Sequence, residues 1–144
     1  MNREIKFRAW DSENKKMLHI GKFTIYHEKD NGLHSGKENK QGDWYNLPLM
    51  QFTGLKDKNG KKIYDGDIVK WGHLKGSEEN PIRIAIVKIE PDIKFEIVNY
   101  KTDFAGQNRI FHYGSFAYKN TNNCLEIIGN IFENTELLDG SVVA

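Results

Sequence analysis

The stretch Leu55-Lys56-Asp57-Lys58-Asn59-Gly60-Lys61-Lys62-Ile63-Tyr64 places apolar residues at both ends of a charged tip built on Asn59-Gly60. Asn-Gly favours the two positive φ angles of a type I′ turn, whose twist matches that of two antiparallel strands, so the segment reads as a β-hairpin. Immediately after it, Asp65-Gly66-Asp67 supplies a second tight turn and hands the chain to Ile68-Val69-Lys70-Trp71.

Strand chemistry continues on either side. Upstream, Ile5, Phe7 and Ala9 share one face of a strand over residues 4–10, and Lys6, Arg8 and Trp10 share the other. The cluster Asp11-Ser12-Glu13-Asn14 turns the chain into a second strand over 17–26, and the two are expected to form an N-terminal β-hairpin. Residues 27–43 keep Leu33 alone among apolar residues while collecting glycines and charges, which reads as a mobile loop of roughly 15 residues. Trp44 to Met50 then restores bulk and leads into Phe52. Downstream, residues 82–89 are apolar on both alternations, as in a strand covered on both faces. Ile93, Phe95 and Ile97 alternate with Lys94 and Glu96 in a half-buried strand, and shorter strands are expected over 109–113, 115–118 and 124–131. Near the end, Asn134 or Thr135 caps a short helix carrying Leu137 and Leu138.

Short strands at a spacing of roughly 8 to 12 residues, with no long helix between them, point to an all-β fold. The expected architecture is a small barrel or sandwich with an N-terminal β-hairpin and a short C-terminal helix. Residues 1–50 form the hairpin and mobile loop and 51–144 the core, with one continuous domain as the alternative.

A chain of 144 residues buries enough apolar surface to fold without a staple. Lys and Arg number 21 against 20 for Asp and Glu, so the net charge of +1 provides no global field to steer an anionic polymer, and nucleic-acid binding would need a local patch. Cys124 is the single cysteine, which excludes an internal disulfide and a multi-cysteine zinc site and fits a reducing compartment. Charges at Arg3, Glu4, Lys6 and Arg8 argue against a signal peptide, and no apolar run reaches the roughly 18 residues of a membrane helix. A cytoplasmic protein without a membrane partner is expected.

Three segments carry a family resemblance: Lys6-Phe7-Arg8-Ala9-Trp10-Asp11, the run from Met50 through Asn59-Gly60 to Asp65-Gly66-Asp67-Ile68-Val69, and Ile128-Gly129-Asn130-Ile131-Phe132-Glu133-Asn134 with Leu137-Leu138. In order and spacing they resemble the YopX family of phage and prophage proteins over nearly the whole chain. The resemblance implies a protein encoded by a phage or prophage, of a Gram-positive host, expressed in the infected cytoplasm. It implies no substrate and no catalytic residues.

The residues themselves give little sign of catalysis. His19, His27, His34, His73 and His112 show no ligand spacing, so each reads as a surface or strand residue and no metal or cofactor is expected. Asp65 and Asp67 offer two carboxylates where a hard-cation loop needs more oxygens, and a tight turn explains both. Cys124 lacks a neighbouring base and reads as a packed thiol.

Among the aromatics Trp10, Trp44, Tyr45, Phe52, Tyr64 and Trp71, core packing is the economical reading; Trp10 is the exposed candidate for a stacking platform because Lys6 and Arg8 share its face. Lys56, Lys58, Lys61 and Lys62 against Asp57 give the hairpin tip a local charge of 4 − 1 = +3, which suits phosphates or an acidic protein as well as simple solubility. The candidate binding residues are therefore Lys6, Arg8, Trp10, Lys56, Lys58, Lys61 and Lys62. The expected function is non-catalytic binding of a host or phage macromolecule, a protein in preference to nucleic acid, with self-association through uncovered β edges. Weak nucleic-acid binding and a small enzyme are the alternatives.

Overall fold

The computed structural model of the chain describes residues 4–72, 82–90, 92–99, 110–113 and 124–138. Strands dominate it: β1 (Phe7–Asp11), β2 (Lys16–Leu18), β3 (Thr24–Glu28), β4 (Gly32–Glu38), β5 (Trp44–Leu47), β6 (Leu49–Lys56), β7 (Lys62–Tyr64), β8 (Asp67–Trp71), β9 (Arg83–Ile89), β10 (Ile93–Ile97), β11 (Ile110–His112) and β12 (Glu126–Asn130). The sheets are antiparallel and curled, and no long helix interrupts them, as the all-β reading required. No described helix is long and apolar enough to cross a membrane. The chain divides into two compact units, Met1–Phe52 and Thr53–Ala144.

In the first unit, β1 forms the expected hairpin with β2 and pairs on its other side with the first half of β6. The turn between β1 and β2 is held by Asp11, whose Oδ1 accepts the backbone N–H groups of Glu13 and Asn14 at 3.1 and 3.2 Å. Ala9, Leu18 and Leu47 are buried together, with Phe23 and Tyr45 packed against them.

Two expectations for this unit change. The second strand does not run through 17–26 but breaks into β2 and β3. Residues 27–43 carry β4, paired along its length with β3 and β5 in a separate three-stranded sheet, in place of a continuous loop. Its composition, Gly-Leu-His-Ser-Gly-Lys-Glu, lacks strand formers. Cross-strand contacts compensate: the buried Ser35 hydroxyl donates to the Leu47 carbonyl at 2.8 Å, and an indole covers Gly36.

In the second unit, a five-stranded sheet runs in the order β11-β10-β9-β8-β12. Its strands alternate between two cores. Val69, Trp71, Ala85, Val87, Phe95 and Ile97 pack with Ile63 and Leu125 on one side. Ile68, Ile84 and Val98 pack on the other, where Leu137 and Leu138 of the short 3₁₀ helix Thr135–Leu138 help to cover them. The double-sided apolar pattern of 82–89 thus follows from burial of both faces of β9. The expected strand over 115–118 lies outside the described residues.

The β6–β7 hairpin forms with a different turn from the one its Asn-Gly suggests. Gly60 takes φ +80° while Asn59 stays out of the positive-φ region, and the Gly60 N–H donates to the Asp57 carbonyl at 3.0 Å. This is a type I turn closed by a glycine bulge. The cause is Asp57, whose buried carboxylate accepts the N–H groups of Asn59 and Lys61, both at 2.9 Å, and of Ile127 at 3.0 Å.

Candidate functional site

The three-stranded sheet has one face built for contact. Registers Tyr26↔His34, Thr24↔Gly36, Gly36↔Asn46 and Glu38↔Trp44 put these residues on the same side of β3, β4 and β5. Because Gly36 has no side chain, the Trp44 indole folds diagonally across it; a Cβ at position 36 would stand 2.5 Å from Cζ2 of the ring. Trp44 remains 47% exposed in that position. Its Nε1–H donates to Asn46 Oδ1 at 3.1 Å, and the Tyr26 hydroxyl donates to the same oxygen at 2.8 Å.

Ring contacts extend the row. Tyr26 meets Trp44 edge-on with centroids 5.8 Å apart, and stacks with His34 at 5.7 Å and 26° between planes. His34 Nε2 lies 3.0 Å from the Asn31 carbonyl and 3.3 Å from Glu28. Exposed Glu28 and Glu38 border the aromatic row. The result is a fixed aromatic strip with an acidic margin, suited to an apolar or cationic side chain that can lie over the indole.

The sequence-derived candidates fall in two places. Lys6, Arg8 and Trp10 lie in the first unit, but Arg8 is only 9% exposed and Trp10 is half-buried. On β1 the face expected to be open is largely covered, with Arg8 buried and Trp10 only half-buried. Lys6 is half-buried, with its carbonyl accepting from Phe52 N–H at 2.8 Å. Lys56, Lys58 and Lys61 are exposed at the hairpin tip of the second unit and Lys62 is half-buried. Lys58 is engaged by Glu126 at 2.9 Å, with Lys70 3.7 Å from the same carboxylate. Its hydrogen bond holds Glu126 below the usual glutamate range despite partial burial, so the tip's charge is partly neutralised.

Three buried carboxylates serve structure. Asp67 accepts the Tyr64 N–H at 2.7 Å, the turn role expected of it, and Asp57 holds its hairpin. Asp11 also receives the Asn14 amide at 2.8 Å and the Tyr45 hydroxyl at 3.2 Å on each oxygen. Cys124 is half-buried and burial pushes its thiol up, the opposite of what a nucleophile needs. His19, His27 and His112 are exposed, and His73 lies outside the described residues. No group of three metal-ligating side chains occurs among the described residues. The aromatic strip itself went unseen because Tyr26 and His34 belong to segments read as a strand end and a loop.

Fold and surface together define a mainly-β protein of two units, the first displaying an aromatic sheet face. The chain belongs to the YopX protein family, whose pattern matches residues 6–139. It is also similar to protein EF1440 from Enterococcus faecalis, known from a crystal structure, at 24% identity over 95% of this chain and 99% of that one, with a TM-score of 0.56. A likeness at that identity shows the fold alone. No curated protein matches the chain.

Proposed function

We propose that this protein is a phage- or prophage-encoded accessory protein, acting in the bacterial cytoplasm as a non-catalytic binding module for a protein partner. One observation carries the reading: a tryptophan 47% exposed, yet laid over a glycine and hydrogen-bonded to Asn46. An indole held in one orientation in water loses little entropy on binding, which is the property of an interface anchor. Glu28 and Glu38 at its border favour a partner segment that presents lysine or arginine, whose charge gains from both the ring face and the carboxylates. The same acidic margin disfavours a phosphate backbone at this surface.

Affinity capture from phage-carrying cells, with nuclease treatment, provides the partner, and titration of that partner against Trp44→Ala tests the site. Removing the indole is expected to weaken binding about 30-fold, as for a hot-spot residue worth about 2 kcal/mol. A partner that binds Trp44→Ala as tightly as the parent overturns the assignment of this face, and capture abolished by nuclease gives the function to nucleic acid.

A further inference from the structure

The two glutamates that border the aromatic strip are not equivalent. Glu28 pairs with Gly32 at the end of the strip away from Trp44, and its Oε2 already lies 3.3 Å from His34 Nε2. Glu38 is exposed and is the direct cross-strand partner of Trp44, which sets their Cβ atoms about 4.5–5.5 Å apart. Among the described residues no cation stands within ion-pair distance of Glu38. Neighbouring Lys37 projects from the opposite face, with its Nζ 3.8 Å from Asp11. The indole is committed on one face, which rests on Gly36, and at its Nε1–H, which Asn46 takes, so what it offers a partner is its other face. Resting on the partner-binding reading of this surface, we infer that the cation taken here is an arginine and not a lysine, and that Glu38 is the residue that makes the choice.

An open ring face with a carboxylate beside it makes two demands on one cation. A guanidinium is flat, so it lies parallel on the indole while its N–H groups point outward in its own plane, where two of them reach a carboxylate together. An ammonium is a compact, strongly hydrated point charge, and touching the ring face and the carboxylate at once strips more of its water for fewer hydrogen bonds to the carboxylate. Both cations feel the negative charge of Glu38 alike. A difference in affinity between them therefore reports the stacked fork and not the field. Glu28 sits two register steps from Gly36 along β3 and β4, beyond the Tyr26–His34 pair, so it adds to the field without forming the fork.

Two acetylated and amidated tripeptides, Gly-Arg-Gly and Gly-Lys-Gly, titrated separately into the isotope-labelled full chain test the choice. The readout is the Trp44 indole N–H resonance, assigned by its loss in Trp44→Ala. The arginine peptide is expected to bind about 10-fold more tightly than the lysine peptide. In Glu38→Gln, which alters an exposed side chain, the ratio is expected to fall to about 2-fold, the part that stacking alone supplies; in Glu28→Gln it is expected to stay near the parent value. Equal affinity of the two peptides in the parent overturns the inference, and so does a ratio that survives Glu38→Gln in full. Absence of any shift with either peptide at about 100 mM, where one cation–π contact joined to an ion pair registers, also overturns it. The partner-binding reading is judged separately, by the captured partner against Trp44→Ala, so its failure and a failure of arginine selection are distinguishable.

Discussion

Trp44 and Gly36 fit as ring and slot: a methyl at position 36 would lie 2.5 Å from Trp44 Cζ2 and 2.7 Å from the Tyr45 carbonyl oxygen. Gly36→Ala therefore has to displace both an indole and a strand backbone. A loss of about 1–3 kcal/mol is expected from such overpacking, read as a lowered midpoint in urea. Adding Trp44→Ala removes the first clash and leaves the second, so the double variant recovers only part of the loss. Full recovery would show that Gly36 serves the indole alone.

Asp57 gives a second expectation. Its carboxylate satisfies three backbone donors, one of them on β12, far along the chain. Asp57→Ala leaves three part-buried donors without their acceptor, at about 1–3 kcal/mol for the Ile127 N–H, the least exposed of them. Asp57→Asn retains one acceptor oxygen and is expected to cost less. Hydrogen exchange at the Ile127 amide should quicken in both, more in the alanine variant; an unchanged rate would mean that the turn holds itself.

These two sites show where sequence reading stops. Alternation was enough to place β1 and β10, an apolar run on both faces placed β9, and the turn at Asp65-Gly66-Asp67 placed β8. The hairpin at Asn59-Gly60 was legible but its turn type was not, since Asp57 draws the N–H groups of Asn59 and Lys61 to one carboxylate and overrides the local Asn-Gly preference. Strand β4 was invisible because its stability comes from Ser35 reaching Leu47 and Trp44 covering Gly36, contacts that composition does not encode. Trp10 and Trp44 exchanged their expected roles for the same reason. Exposure depends on what packs over the faces of a strand, and it leaves Trp10 half-buried on β1 beside buried Arg8 but Trp44 47% exposed on β5.

The lysine tip yields a third expectation. Lys58 is already engaged by Glu126, in a pair exposed enough to contribute about 0–1 kcal/mol. Replacing Lys56, Lys58, Lys61 and Lys62 with alanine should leave the fold intact and leave affinity for single- and double-stranded nucleic acid unchanged at physiological salt. Loss of about one unit of log–log salt slope per lysine removed would instead assign the tip to phosphates.

Acid should act on the first unit through Asp11. Burial raises the affinity of its carboxyl for a proton, but hydrogen bonds from Asn14 and Tyr45 and the Lys37 ammonium at 3.8 Å outweigh that and hold it below the usual aspartate range. A carboxyl whose folded pKa is depressed contributes stability that is fully present above its unfolded pKa of about 3.9. That stability declines as pH falls below this value and is gone once pH passes the lower folded one. Asp11→Asn lacks the titration, so the parent should be the more stable at pH 7 and the gap should close as pH falls through this window. Tyr45→Phe removes one donor and should move the folded pKa upward, narrowing the window from below. Equilibrium urea unfolding at successive pH values, followed by near-ultraviolet circular dichroism, reads both effects. A gap between parent and Asp11→Asn that stays constant from pH 7 into the acid range would show that the Asp11 carboxyl is not held in its charged form by these partners.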